Sequence, residues 1–159
     1  MIIARILKDW YYYKYSIILT FFQKVPSMAA KLSHFSLVVR NQAEALAFYT
    51  EKLGFEVIEE HKVDDNTWYW LTVAPTKDSE TVLSLLLPQA EEDHAIIGKQ
   101  SGSIPLFVLS VNDCHKKMSE FAAKGVTIIK QPTEEFWGID ALIKDLYGNI
   151  IDVCQQTEH

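Results

Sequence analysis

The sequence predicts an α+β fold: two βαβββ modules forming a curved mixed sheet, with an open cleft on one face and helices on the outer face. Three observations predict it. The first is an internal repeat. Val39-Arg-Asn41 leads into an apolar-periodic helix that stops at Gly54, before the β-rich run Phe55-Glu-Val-Ile58. About 72 residues later, Val111-Asn-Asp113 leads into a second such helix, which stops at Gly125 before Val126-Thr-Ile-Ile129. The second observation is the set of short runs alternating with period two around each helix. The third is that each helix carries one apolar stripe, so the helices cover one face of the strands and leave the other open.

In order, the first strand covers residues 33–40, with Phe35, Leu37 and Val39 on its buried phase and His34, Ser36, Val38 and Arg40 on the other. Asn41 offers an N-cap, with Glu44 three residues on completing a capping box. Leu46, Tyr49 and Leu53, with Ala45 and Phe48, form the stripe of the first helix, and Gly54 ends it. Strands follow at 55–63, 66–75 and 81–88, separated by the turns Asp64-Asp-Asn66 and Thr76-Lys-Asp-Ser79. A polar linker, 90–102, with one helical turn, joins the modules, which span about 31–89 and 103–156. The second module has strands at 105–112, 127–131, 139–144 and 149–155, a helix at 114–124 with Met118, Phe121 and Ala122 on its stripe, and a tight turn at Tyr147-Gly-Asn149.

Composition narrows the function classes. A net charge of -6 gives no indication of a nucleic-acid partner. The two cysteines, Cys114 and Cys154, lie far apart and outside any metal-like spacing, which fits a reducing, cytoplasmic compartment without a disulfide framework. Residues 1–27 form an N-terminal extension, aromatic and basic, with four Lys/Arg against one acid. Lys8, Asp9 and Lys14 interrupt any membrane span, and Val25-Pro-Ser27 is a poor cleavage site. A disordered tail, a partner or membrane-surface helix and an exported form remain the alternatives for this segment.

Three sets of residues carry a resemblance. They are Phe48-Tyr49 followed by Leu53-Gly54-Phe55; Asp113 through Gly125-Val126; and Trp137-Gly138 followed by Asp145-Leu-Tyr-Gly148-Asn149-Ile-Ile-Asp152. In order and spacing they resemble the vicinal oxygen chelate superfamily of glyoxalase I, bleomycin- and fosfomycin-resistance proteins and extradiol dioxygenases. The run Trp70-Leu-Thr-Val-Ala-Pro75 is similar to that of small glyoxalase-like members. The resemblance covers residues 31–156 and implies a ligand cleft between the modules. It also implies a divalent metal held by one residue from the first and one from the last strand of each module.

Carried over one at a time, those metal positions fall on His34, Ser84, Leu106 and Asp152. His34 can bind metal and Asp152 is a short acid. Ser84 and Leu106 stand where an acid or histidine and a histidine are usual. All four lie on the phase opposite the helix-packing sets Leu83, Leu85, Leu87 and Phe107, Leu109, Val111. The ligand set is therefore depleted, with His34 and Asp152 its metal candidates and a hydrogen bond from His34 to Asp152 or Ser84 the alternative. His61, His94, His115 and His159 are poor candidates.

The rest of the expected cleft is Ser36, Trp68, Trp70, Leu86 and Val108, an aromatic and apolar surface. Trp68, Trp70 and Thr72 share its phase, while Tyr69, Leu71 and Val73 share the other. Packing of the two indoles into the sheet's concavity without a ligand is the competing reading. Asp140 stands where relatives often carry arginine, and Trp137 marks a bend at the rim. Cys154 shares the phase of Asp152 and reads as structural.

Three functions follow. The first is a metal-independent protein that binds a small, partly aromatic organic molecule. The second is a metal-dependent lyase or isomerase of the glyoxalase type using His34 and Asp152. The third is an interaction module organised around residues 1–27. No cofactor is required by the first, a divalent metal by the second, and a homodimer completing the cleft is expected.

Overall fold

The computed structural model describes residues 30–157, so the readings of 1–27 lie outside the described residues. The first module runs β1 (His34–Val38), α1 (Gln42–Ala47), a π-helical turn (Phe48–Lys52), β2 (Glu56–Lys62), β3 (Trp68–Ala74) and β4 (Val82–Leu86). A 3₁₀ helix (Glu91–Ile96) supplies the helical turn of the linker. The second module runs β5 (Phe107–Ser110), α2 (Cys114–Ala123), β6 (Thr127–Glu135), β7 (Gly138–Lys144) and β8 (Ile150–Gln156). The strands form two four-stranded mixed sheets of matching topology, β1-β4-β3-β2 and β5-β8-β7-β6. In each, the first and last strands of the module run parallel and the remaining pairs antiparallel.

Local chemistry sets each boundary. The Asn41 side chain accepts from the Glu44 N–H at 3.1 Å and opens α1. Asp113 does the same for Lys116 at 2.9 Å and opens α2. Gln42 then ties α1 to the sheet. Its amide donates to the Trp68 and Leu85 carbonyls at 3.1 and 2.8 Å and accepts from the Trp68 N–H at 2.9 Å. The first helix departs from the continuous α-helix that its periodicity predicts. Thr50 bonds back to the Leu46 carbonyl, and the Leu53 N–H reaches the Phe48 carbonyl five residues back. Phe48 and Tyr49 are both buried on this turn. Strand β6 runs past Pro132, where the sequence suggests a stop. It is an edge strand, and its pairing with β7 is irregular between Lys130 and Thr133, so the missing proline N–H leaves no ladder bond unmade.

One core joins the modules. Leu37, Tyr49, Phe55, Leu71 and Leu85 from the first cluster with Met118, Phe121, Ile143, Ile151 and Val153 from the second. Polar ties cross the same seam. The Tyr49 hydroxyl donates to the Asp145 carboxylate at 3.2 Å. That carboxylate also accepts the Tyr147, Gly148 and Asn149 backbone N–H groups and the Asn149 side-chain amide, all at 2.8–2.9 Å. The Tyr147 hydroxyl donates to the Asn41 carbonyl and accepts the Asn41 N–H, each at 3.0 Å. Gln100, in the linker, donates to the Ser36 carbonyl and accepts the Val38 N–H, occupying the free edge of β1. Gly98 lies so close to Tyr147 that a Cβ there would stand 2.0 Å from the tyrosine carbonyl oxygen, so no other residue fits.

Burial, followed by the charge and hydrogen bond of Asp145, pushes the Tyr49 hydroxyl well above the usual tyrosine range. An unfolded tyrosine ionises near about 10. Above that pH the unfolded chain gives up a proton that folded Tyr49 retains, so this stabilisation is complete below about pH 10 and falls as pH rises. Tyr49→Phe should lower stability at neutral pH by about 1.5–3 kcal/mol through the lost bond to a carboxylate. It should also flatten the alkaline decline. Urea unfolding across a pH series checks both, and parallel alkaline limbs in the two proteins would contradict this account.

Candidate functional site

Each sheet turns one face to the core and one outward. On the first, direct register places His34 beside Val82, Ser36 beside Ser84 and Val38 beside Leu86, with Thr72 on the other side of Ser84. Glu59 pairs with Thr72 and His61 with Trp70, which extends this open face across β2 and β3. Leu37, Leu71, Val73, Leu83 and Leu85 occupy the opposite, core face. Trp70 anchors the open face. Its indole N–H donates to the Glu59 carboxylate at 2.6 Å, and the His34 ring lies tilted against it with centroids 5.3 Å apart. His34 Nδ1 is 2.9 Å from Ser33 Oγ. Thr72 Oγ1 accepts the Glu59 N–H at 3.0 Å. Ser84 is only 1% exposed, and its hydroxyl has no partner. The bond expected from His34 to Asp152 or Ser84 is thus not made: Ser84 Oγ and Asp152 Oδ1 are both left without partners.

Two positions on β3 differ from the alternation predicted. His61 pairs with Trp70 but its neighbour Lys62 pairs with Trp68, so Tyr69 is an extra, bulged residue. The bulge moves Trp68 to the core face, where it is 6% exposed, bonded to Gln42 and capped by Lys62 with its ammonium 5.2 Å from the ring centroid. Its indole donates to Glu60 at 3.2 Å. Trp68 therefore belongs to the core and not to the open face. Tyr69, expected inside, is 67% exposed and stacks on His61 with centroids 5.5 Å apart. The run Trp68-Tyr-Trp-Leu71 contains no charged residue to mark the outer phase, so nothing in it announces the bulge.

The open face of the second sheet is acidic. Register aligns Val108, Asp152 and Leu142 in one row and Ser110, Cys154 and Asp140 in the next. Lys130 on β6 reaches over, its ammonium 3.0 and 3.1 Å from the two Asp140 oxygens and 3.1 Å from Glu135. These two carboxylates hold the Lys130 ammonium above its usual range. Asp140, buried at 6% exposure, is thus occupied by a cation that the sequence did not reveal: Lys130 pairs in register with Leu142, and its side chain reaches Asp140 across the irregular stretch between Lys130 and Thr133. Asp152 is pushed above the usual carboxylate range by burial and then by the Asp140 charge, with Lys130 opposing. Burial and the charges of Asp152 and Asp140 likewise push up the Cys154 thiol, which leaves it a poor nucleophile. Leu106 sits at a bend before β5, donates its N–H to the Ile150 carbonyl at 2.7 Å and packs against the core. Val108 is exposed. A hollow of about 430 Å³ lies where the modules meet at the end of the first helical segment, lined by Leu53, Phe55, Pro75, Leu109, Asp113 and Lys117 among others, and by none of the expected cleft residues.

The family profile described as Glyoxalase/Bleomycin resistance protein/Dioxygenase superfamily matches residues 31–153. The chain belongs to this superfamily. Among solved structures of superfamily fold, UcmS2 is 32% identical with a TM-score of 0.70, covering 81% of this chain and 100% of its own. TnmS3, an antibiotic binding protein from Streptomyces sp. CB03234, is 26% identical with a TM-score of 0.66, covering 82% and 98%. YurT of Bacillus subtilis, itself uncharacterised, is 32% identical over 123 residues, 76% of this chain and 95% of its own.

The described residues do not bring together a donor set that fits the divalent metal implied by superfamily membership. Among the described residues, no three His, Cys, Asp or Glu side chains come together as an ion would require. Ser84 brings a hydroxyl, Leu106 brings no lone pair, and Asp152 has Asp140 as its charged neighbour. Asp152 and Asp140 repel, so Asp152→Asn should raise the urea midpoint at pH 7. Its folded carboxyl binds a proton more tightly than an unfolded aspartate, so the wild type loses stability relative to the variant as pH rises through the aspartate range. The gain should therefore shrink on acidification below about pH 4. Unfolding midpoints at pH 7 and pH 3.5 test this, and a destabilised variant at pH 7 would contradict it.

Proposed function

We propose that this protein is a metal-independent, small-molecule-binding member of its superfamily, taking a partly aromatic, apolar organic ligand on its open sheet faces. The observation that carries the reading is Trp70. Its indole is fixed by Glu59 and flanked by His34 on a sheet face that no helix of its module covers. A fixed indole offers a flat apolar surface whose orientation is set before the ligand arrives. Ser36, Ser84 and Leu86 extend that surface, and Val108, Asp140 and Asp152 provide a counterpart on the second sheet. The likeness to an antibiotic binding protein supports the same class of role. A second copy of the chain would complete the cleft as a homodimer. Free, buried Cys114 and Cys154 agree with a cytoplasmic location, and no helix among the described residues is long and apolar enough to cross a membrane.

A glyoxalase-type lyase or isomerase is the second reading. One observation favours it: the Asp152 carboxyl, held above its usual range, suits a group that accepts and returns a proton. That chemistry needs a metal completed by water or substrate beside His34.

Titration with fused-ring aromatic compounds should quench the tryptophan fluorescence saturably. Trp70→Leu should weaken binding at least tenfold while leaving the fold intact. Dialysis against a chelator should leave affinity unchanged. Loss of binding on chelation, with recovery on adding zinc, nickel or manganese, would favour the lyase reading instead.

A further inference from the structure

Strand β3 carries two indoles, and their surroundings are alike in all but one respect. The Trp68 indole N–H donates to the Glu60 carboxylate at 3.2 Å, and the Lys62 ammonium stands 5.2 Å from the centre of its ring. The Trp70 indole N–H donates to the Glu59 carboxylate at 2.6 Å. Among the described residues, no lysine or arginine stands over the Trp70 ring and none forms an ion pair with Glu59. We propose that Trp70 and Glu59 receive the ammonium group of an organic cation, in the role that Lys62 fills at Trp68. The inference rests on the reading of this face as a binding surface and names the charged part of its ligand.

The arrangement at Trp68 shows what such a pair holds. The quadrupole of an indole attracts a cation that lies over its face within about 6 Å of the ring centre. A carboxylate bonded to the indole N–H fixes the ring and adds a negative charge beside it. Lys62 uses both at Trp68, its partner in register across β2 and β3. The register partner of Trp70 is His61, an imidazole in place of an ammonium. The site is open to solvent. Glu59, His34 and His61 are exposed and Trp70 is half-buried. The His34 ring lies tilted against Trp70 on one side, and Tyr69 stacks on His61, which continues the aromatic surface. Glu59 engages Trp70 through Oε2, and its charge is shared with no basic side chain among the described residues.

The rest of the face complements the same charge. By register it presents His34, Ser36, Val38, Glu59, His61, Trp70, Thr72, Val82, Ser84 and Leu86, with neither lysine nor arginine among them and Glu59 as the one acid. An anionic ligand would meet Glu59 without a compensating cation. An alkylated ammonium suits the site better than a bare one, because its methyl groups spread the charge and pack on the rings. Val38 and Leu86, paired in register, offer apolar contact to the body of the ligand.

Benzyltrimethylammonium and neopentylbenzene make the test, since they share one shape and differ by one charge. Binding of each to the full chain is followed through the NMR signal of the probe's own methyl groups, at about pH 8, where imidazole is ordinarily uncharged. The wild type should bind the ammonium at least tenfold more tightly than its neutral counterpart. Glu59→Gln, whose amide oxygen still accepts the indole N–H, should cut that preference to threefold or less, and Trp70→Leu should abolish it. Glu60→Gln removes an equal charge one residue along and should leave the preference at tenfold or more. Melting curves verify that the three variants fold. Equal binding of the two probes to the wild type would overturn the ammonium site while leaving the binding surface standing. So would a preference that survives Glu59→Gln or Trp70→Leu. A loss in Glu60→Gln as large as that in Glu59→Gln would overturn it too, since the attraction would then belong to the acidity of the chain at large. Failure of both probes to bind the wild type would overturn the binding surface and this inference together.

Discussion

The arrangement of the two modules depends on one buried carboxylate. Asp145 sits in the turn between β7 and β8 and accepts five hydrogen bonds: three from its own turn's backbone, one from the Asn149 amide and one from Tyr49 of the other module. A carboxylate without these donors would be expensive to bury. With them, it fixes the turn and at the same time pins the first helix to the second module. Tyr49 lies on the π-helical turn. Phe48 and Tyr49 are both buried there. Every residue on the two open faces inherits its position from this junction, because the sheets themselves are separate.

The two faces share a topology yet differ in chemistry. The first presents an oriented indole beside the exposed imidazoles of His34 and His61. The second presents Asp140 and Glu135 bridged by Lys130, with an oxygen of Asp152 left unpartnered. The two sheets share one strand order, while the side chains on their outward phases differ. His34 and Asp152 occupy corresponding outward phases, but each is engaged locally, by Trp70 in one case and by the field of Asp140 in the other.

Much of this was legible in the chain because the strands concerned are regular. On β1 and β4 the residues pair one to one, so period two assigns His34, Ser36 and Ser84 to the open face without ambiguity. On β3 the assignment fails between Trp68 and Trp70, since a bulge adds one residue and an aromatic run gives no polar marker of phase. Lys130 escaped notice for a different reason. It pairs with Leu142, not with Asp140, and only the register shift between Lys130 and Thr133 lets its side chain reach the carboxylate two residues away. The bond between Tyr49 and Asp145 spans 96 residues, and no local pattern encodes such a pairing.

Gln100 carries a consequence for the behaviour of the molecule in a crowded cell. Its amide presents one donor and one acceptor to β1 in the way that a peptide unit of an added strand would. The outer rim of the first sheet is thereby already taken, and an extended segment from another polypeptide finds no vacant ladder at that point. A single side chain in a linker thus works as a chain terminator for sheet growth, and it does so without a proline, a charge or a covering helix.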